Sequence, residues 1–300
     1  MSAGAASAGA PRRVLVTGAA GRIGRMLRPR LAGPGLVLRL LDVREQEPAG
    51  PGEPVEIVRA ELGDADAVGR ACAGVDAVVH LAALSGEDRW EEILRVNVEG
   101  TRTVLEAARL AGVPRVVLAS SNHAVGCYRD DAAGSPVAGG VGGGVPAPHG
   151  PDGVPADAFP RPDGYYGWSK AAVEALGSLY ADRYGMTVFA LRIGACFDRP
   201  PGLRGLDTWL SPDDCARLVS ACLTTGVTGF RVLWGVSANT RRWWSLAEAR
   251  EIGYEPRDDA EAYAGTVRAT EAERRTSGLL GGIFCDWPLG EPWVRRSTAG

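Results

Sequence analysis

The sequence predicts a doubly wound α/β fold, a parallel sheet covered by helices on both faces, followed by a small C-terminal substrate-binding cap. Three observations carry this expectation. Short apolar runs alternate with helical patterns along the N-terminal half, a glycine-rich turn joins the first run to the first helix, and an acidic residue closes the second run.

The first two strands are "RVLVTG" (13–18) and "LVLRLLD" (36–42), with a helix between them from about Arg22. "EIVRAEL" (56–62) and "DAVVHLAA" (76–83) follow, separated by the helix-like "DADAVGRACAG". A long helix is predicted over 90–112, then the strand "RVVLASS" (115–121). Residues 129–160 break the pattern with a run of Gly, Pro and Ala. Such a run buries too little surface to offset its ordering entropy, so the 130–160 stretch is expected to be a mobile insertion, dispensable for chemistry. A helix from Tyr165, the strand "MTVFALRIG" (186–194), helix-like "SPDDCARLVSACL" (211–223) and strand-like "FRVLWGVS" (230–237) complete the pattern. The chain thus divides into a disordered leader over 1–11, a dinucleotide-binding domain over 12–195, and a substrate-binding region over 196–300 integrated with it. The last covers the carboxyl edge of the sheet, where open α/β sheets bind ligands. Trp234, Trp243 and Trp244 read as its core.

Composition narrows the function classes. The chain has 300 residues, 45% of them hydrophobic and 23% charged, with a net charge of −3. There is no basic stripe for nucleic acid and no run of eighteen apolar residues for a membrane span. The leader lacks the basic and apolar segments of a signal peptide, so the expected location is cytoplasmic. Six scattered cysteines read as reduced packing residues, and three histidines without ligand spacing predict no metal.

"VTGAAGRIG" places Gly18, Gly21 and Gly24 between strand and helix. Glycines there permit a tight turn and let the backbone approach a pyrophosphate at the helix N-terminus. A tight turn without ligand is the other reading. Asp42, at the end of the second strand, suits the two adenosine ribose hydroxyls and would repel a 2′-phosphate, so NAD is the expected cofactor. Arg44 complicates this choice, because an arginine nearby accommodates NADP. The combination describes a Rossmann-type domain.

The chemistry is expected in "DGYYGWSKAAVEAL" (163–176). On a helix Tyr166 shares a face with Lys170, four residues on, whereas Tyr165 does not. A phenol is too weakly acidic to act as a base at neutral pH, and a neighbouring ammonium is expected to lower its pKa. Such a pair can remove a hydroxyl proton while a hydride leaves the same carbon. A serine or asparagine from the strand end "ASSNH" (119–123) could hold the substrate oxygen. Taken alone, Y-x-x-x-K is common and usually means helix packing.

With these elements in this order, the chain resembles the extended, epimerase-like branch of the short-chain dehydrogenase/reductase superfamily, and within it the uronate dehydrogenase family. The resemblance rests on "VTGAAGRIGRMLR", "VVHLAALS", "ASSNHAVGCY", "RPDGYYGWSKAAVEAL", "LRIGACF", "RGLDTWLSPDD" and "VLWGVSANTRRWW", covering most of residues 12–265 outside 130–160. "SSNHAVG" and "WGVSAN" are far more specific than the glycine motif or Y-x-x-x-K. The resemblance implies NAD-dependent oxidation of an aldohexuronate, such as glucuronate or galacturonate, at its anomeric carbon to an aldarolactone. It implies that Tyr166 is the base and that Lys170 supports it and holds the nicotinamide ribose. Ser85, Ser121, Asn122 and His123 would contact substrate, and Arg204 would bind the uronate carboxylate. Arg22, Ile23, Asp42, Leu62, Leu81, Ala82, Ala83, Leu84, Asn97 and Ile193 match cofactor-contacting positions. Ala195 stands where the family has a substrate-binding serine, and Glu61 where an aspartate usually faces the adenine. Both departures bear on affinity and leave the chemical step alone. Similar proteins pair across helices matching 90–112 and 165–184, so a homo-oligomer is expected.

Several residues carry a second reading. Asn97 either meets the cofactor or braces the long helix, and His123 is either a substrate contact or a structural hydrogen-bonder. His80 reads as a satisfied core histidine, and Arg204 outside its aligned context reads as a surface charge. Two rival functions share the fold. A nucleotide-sugar epimerase or dehydratase needs a longer C-terminal domain than the hundred or so residues after Ile193. A non-catalytic NAD sensor usually lacks the tyrosine or lysine, and this chain has both.

Overall fold

The computed structural model describes residues 11–130 and 144–293. Seven strands form one sheet: β1 (Arg13–Thr17), β2 (Val37–Asp42), β3 (Val55–Arg59), β4 (Ala77–His80), β5 (Arg115–Ser121), β6 (Thr187–Ile193) and β7 (Phe230–Gly235). Their order is β7-β6-β5-β4-β1-β2-β3, and every neighbouring pair is parallel. The chain winds outward from β1 through β2 and β3, then crosses back to β4 and winds the other way. That reversal opens a crevice beyond the carboxyl ends of β1 and β4, the ligand site of such sheets.

Helices cover both faces, which is why β4 and β6 are apolar and buried almost throughout. Alternation along β1 sorts its side chains. Val14 and Val16 pack with Leu27 of α1 (Arg22–Leu31) and with Leu218 of a C-terminal helix, Pro212–Thr224. Leu15 faces the opposite core, with Val68 of α2 (Ala65–Cys72), Val104 and Tyr180. The strands β3 and β4 stop at Arg59 and His80, earlier than the apolar runs suggested, and the residues after each line a groove at the sheet's carboxyl edge.

The long helix is interrupted. A short α3 (Trp90–Ile93) passes through a π-helical turn, Leu94–Glu99, into α4 (Gly100–Leu110). There the Gly100 amide donates to the Arg95 carbonyl, one residue further back than in an α-helix. Hydrophobic periodicity does not reveal a single inserted residue. The second long helix, α5 (Tyr165–Tyr184), ends at Gly185, whose φ of 70° closes it in the left-handed conformation.

The expected mobile insertion is corrected over its second part. Val145–Pro146 pair with Tyr128–Arg129, and Val154 and Ala156 are fully buried. The indole of Trp234 donates to the Val154 carbonyl at 2.9 Å, and Arg192 donates to the Ala158 carbonyl at 2.8 Å. Small side chains lose little rotamer freedom on burial, so a segment poor in large apolar residues can still line a core built by others. Those others are Trp234 and Trp244, buried with ring centroids 4.7 Å apart. Residues 131–143, and the leader apart from its last residue, lie outside the described residues.

Candidate active site

A groove of about 1080 Å³ opens at the β1/β4 crevice. Gly18, Gly21, Arg22, Ile23, Gly24, Asp42, Glu61, Leu62, Leu81, Ala82, Ala83, Leu84 and Ser85 all line it. Gly18 has a φ of 70°, and a Cβ there would fall 2.6 Å from the Ala82 amide nitrogen. A side chain at Gly24 would meet the Ala19 carbonyl oxygen at 2.5 Å. Gly21 caps α1 without a side chain, so the amides of its first turn are left for an anionic ligand. Buried Asp42 accepts from the Ala20 amide and the Arg44 amide, both at 2.9 Å, and so ties the glycine turn to the end of β2. The Arg44 side chain is 61% exposed, with Nε 3.5 Å from Asp42. A compact turn, an uncapped helix and a carboxylate at the strand end fit a dinucleotide without a 2′-phosphate.

Asn97 takes the bracing role. Its Oδ1 accepts from the Leu84 amide at 2.8 Å, and its Nδ2 donates to the Leu84 carbonyl and to Ser169. Ser169 in turn donates to the Tyr166 carbonyl at 2.7 Å. The π-helical turn therefore fastens the groove wall to the first turn of α5. His80 is likewise a core residue, held between the hydroxyls of Thr17 and Thr101 at 2.7 and 3.0 Å.

The orphan amides at the start of α5 find a remote partner. Buried Glu87 accepts from the amides of Tyr165 and Tyr166 at 3.1 and 2.9 Å, and from Gly290 at 3.0 Å. Tyr166 then points inward, while Tyr165 packs edge-on against Trp90 with centroids 5.2 Å apart. Lys170 donates to the Ala119 carbonyl of β5 at 2.9 Å and lies 5.6 Å from the Tyr166 ring centre. The electrostatics differ from the sequence expectation. Burial pushes the Tyr166 phenol up to about 12, with Ser121 pulling it back through a hydrogen bond and the Asp163 charge adding to the rise. Burial also brings the Lys170 ammonium down to about 8. Desolvation dominates for both groups because they sit in the same dry pocket.

The polar cluster follows from how β5 ends. The Ser121 hydroxyl accepts from the His123 amide at 3.2 Å and caps a short helical turn, Asn122–Val125. The Asn122 amide donates to the Ile193 carbonyl at 3.0 Å, and its oxygen accepts from the Arg204 guanidinium. Arg204 also donates from Nε and Nη2 to the Leu280 carbonyl, at 2.8 and 2.6 Å. The His123 ring lies 5.7 Å from Tyr166 and 4.2 Å from Phe284. Ser121, Asn122, His123, Tyr166, Lys170, Ile193 and Arg204 are thus brought to one place. Ala195 sits just beyond, in a short parallel pairing with Trp209. Ser85 stays exposed in the groove lining.

Sequence reading missed Glu87, Asp163, Leu280 and Phe284. Only Asp163 carried a signal, as an acidic residue two before a helix, and that pattern reads as a helix cap. Among the described residues, no cluster of His, Cys, Asp and Glu could hold a metal ion, and no helix is long and apolar enough to cross a membrane.

The sequence model of the NAD dependent epimerase/dehydratase family matches residues 14–197. A uronate dehydrogenase of Pseudomonas putida is 41% identical over 261 residues, covering 87% of this chain and 89% of that protein. One of Agrobacterium fabrum is 40% identical over 282 residues, covering 93% and 98%. Among solved structures, a uronate dehydrogenase from Agrobacterium tumefaciens, a tyrosine-to-alanine variant complexed with NAD, superposes with a TM-score of 0.80 at 37% identity. That match covers 92% of this chain and 98% of the other.

Proposed function

Because the chain belongs to the NAD dependent epimerase/dehydratase family and, within it, to the uronate dehydrogenases, we propose that it oxidises aldohexuronates such as glucuronate and galacturonate at the anomeric carbon, releasing aldarolactones. The observation that carries this reading is the junction of the dinucleotide groove with a buried phenol, a lysine and a polar cluster ending in an arginine. When bound, NAD supplies the acceptor for the hydride. The groove residues from Gly18 to Leu84 would hold it, with Asp42 on the adenosine ribose and Lys170 toward the nicotinamide ribose.

In this reading Tyr166 takes the proton of the anomeric hydroxyl. A phenol held at about 12 is a strong base once ionised, and an ammonium 5.6 Å from the ring centre would favour that ionised form. Ser121 holds the reacting oxygen, and Asn122 and His123 contact the sugar. Arg204 takes the carboxylate at its far end, since a guanidinium matches a carboxylate in a way an ammonium does not. The Ala195 methyl offers no hydrogen bond, which leaves more of the recognition to Arg204. The region before residue 196, completed by β7 and the helix Pro212–Thr224, acts as the cofactor domain, and the remaining C-terminal segments as the substrate cap.

The same proposal extends to a cytoplasmic homo-oligomer joined through α4 and α5, where Leu110, Leu179 and Tyr184 are exposed. Light scattering on the purified protein tests the assembly. For the activity, protein, NAD and glucuronate are mixed and the absorbance of the reduced cofactor is followed. Stoichiometric accumulation is expected. No net reduction with either uronate would refute the proposal and return the choice to an epimerase or a sensor.

A further inference from the structure

We propose that Asp163 is a positioning residue for this oxidation, holding the His123 ring with Nδ1 toward its own carboxylate and Nε2 toward the sugar. The inference rests on the reading of the site as a uronate dehydrogenase. Asp163 precedes α5 and reaches back across 40 residues, so that its Oδ2 lies 2.6 Å from His123 Nδ1. Its side chain is 1% exposed, and its other oxygen, Oδ1, has no hydrogen-bond partner among the described residues.

The space around this carboxylate is kept open by glycines from three separate segments. A Cβ at Gly126 or Gly281 would fall 2.0 Å from Oδ2, and one at Gly167 would fall 2.7 Å from Oδ1. Gly126 follows the β5 turn, Gly167 lies in α5, and Gly281 belongs to the C-terminal segment. A buried carboxylate with one hydrogen bond costs stability, and a neutral residue would pack here at less cost. A structural link between these segments does not need the charge.

The charge has a clear use. A carboxylate only accepts, so it compels His123 to carry a proton on Nδ1. Among the described residues no partner binds Nε2, and the ring stands beside Tyr166 and Phe284. Nε2 is then the atom offered to a sugar hydroxyl. Phe284 packs at a tilt of 38° against this ring, whose Nδ1 the carboxylate holds.

The test is a double-mutant cycle with Asp163→Asn and His123→Ala, read as kcat/KM for glucuronate. Thermal melting and NAD binding are measured on each protein. Asp163→Asn is expected to lower kcat/KM by at least ~10-fold while NAD binding stays at the wild-type level. That loss is smaller than the ~10⁴-fold seen when a carboxylate positions a histidine that itself carries the proton. In the His123→Ala background the same change should have no further effect. Nitrogen-15 spectra of the imidazole, taken without substrate, should show the Nδ1–H form in the wild type and its loss in Asp163→Asn. Wild-type kinetics in Asp163→Asn, an equal loss in both backgrounds, or an unchanged tautomer would each overturn the proposal. Should Asp163→Asn fail to fold, the same cycle and spectra with Asp163→Ser decide it by the same outcomes. Failure of the uronate reading would show separately, as a wild-type protein that binds NAD without reducing it.

Discussion

The ammonium of Lys170 lies 5.6 Å from the centre of the Tyr166 ring, one helical turn along α5, and is anchored to the Ala119 carbonyl. The neighbouring Tyr165 packs against Trp90 on the outer side of the helix. Tyr166→Phe should therefore lower turnover by ~10²–10⁴-fold or more, the usual worth of a general base, with NAD affinity nearly unchanged. Tyr165→Phe should do far less. A larger loss at Tyr165 than at Tyr166 would contradict this assignment of the base.

Asp42 should make NAD the working cofactor. Its carboxylate sits at the mouth of the glycine turn, where a 2′-phosphate would bring like charges together. We expect kcat/KM to favour NAD over NADP by more than ~10-fold. Arg44 is exposed and stands at the edge of the same pocket, so equal use of both cofactors would mean that Arg44 governs it.

Arg204 should decide between a uronate and a neutral sugar. Glucose offers the same anomeric carbon, so selectivity has to come from the other end of the molecule. Arg204→Ala should cost ~2–4 kcal/mol in kcat/KM for glucuronate, as for loss of one member of a buried charged pair. Glucose oxidation, already slow, should barely change, and Arg204→Lys should recover part of the loss. Parallel losses on both sugars would show instead that Arg204 matters only for holding Leu280.

Residues 144–160 should prove necessary for stability. Ala156 is fully buried, and its amide donates to Glu248 at 2.9 Å. Ala156→Asp would place an unpaired charge there, and a loss of more than ~3 kcal/mol is expected in urea titration. Wild-type stability in that variant would restore the view that this segment is an appendage.

Acid should weaken the fold through His80. Burial, and after it the charge of Lys170, holds the imidazole down at about 3, against a model-peptide value of 6.5. The unfolded chain binds a proton that the native core refuses. This contribution is therefore complete above the unfolded pKa and is lost as pH falls toward the folded one. The slope for one proton reaches ~1.4 kcal/mol per pH unit. Urea midpoints between pH 7 and pH 4 should fall more steeply for the wild type than for His80→Gln, and equal slopes would count against it.

Much of this protein could be read along the chain, for a physical reason. A parallel sheet buried on both faces demands continuous apolar strands, and helices demand a periodicity, so both leave a local record. The glycines at 18, 21 and 24, Asp42, and the Tyr166–Lys170 spacing are local in the same sense, since each needs only a turn, a strand end or a helix face. The tertiary structure decided what depends on groups far apart in sequence. It made Asn97 a brace, because the partners of a side-chain amide are set by what the π-helical turn faces. It packed residues 144–160, because a small side chain is buried only when distant tryptophans surround it. It raised the Tyr166 phenol above its usual value, since desolvation depends on enclosure by every neighbouring element and not on the lysine one turn away. Glu87 and Asp163 belong to this second group. A lone acidic residue carries no sign of the helix it will cap or the histidine it will hold until the chain has folded back on itself.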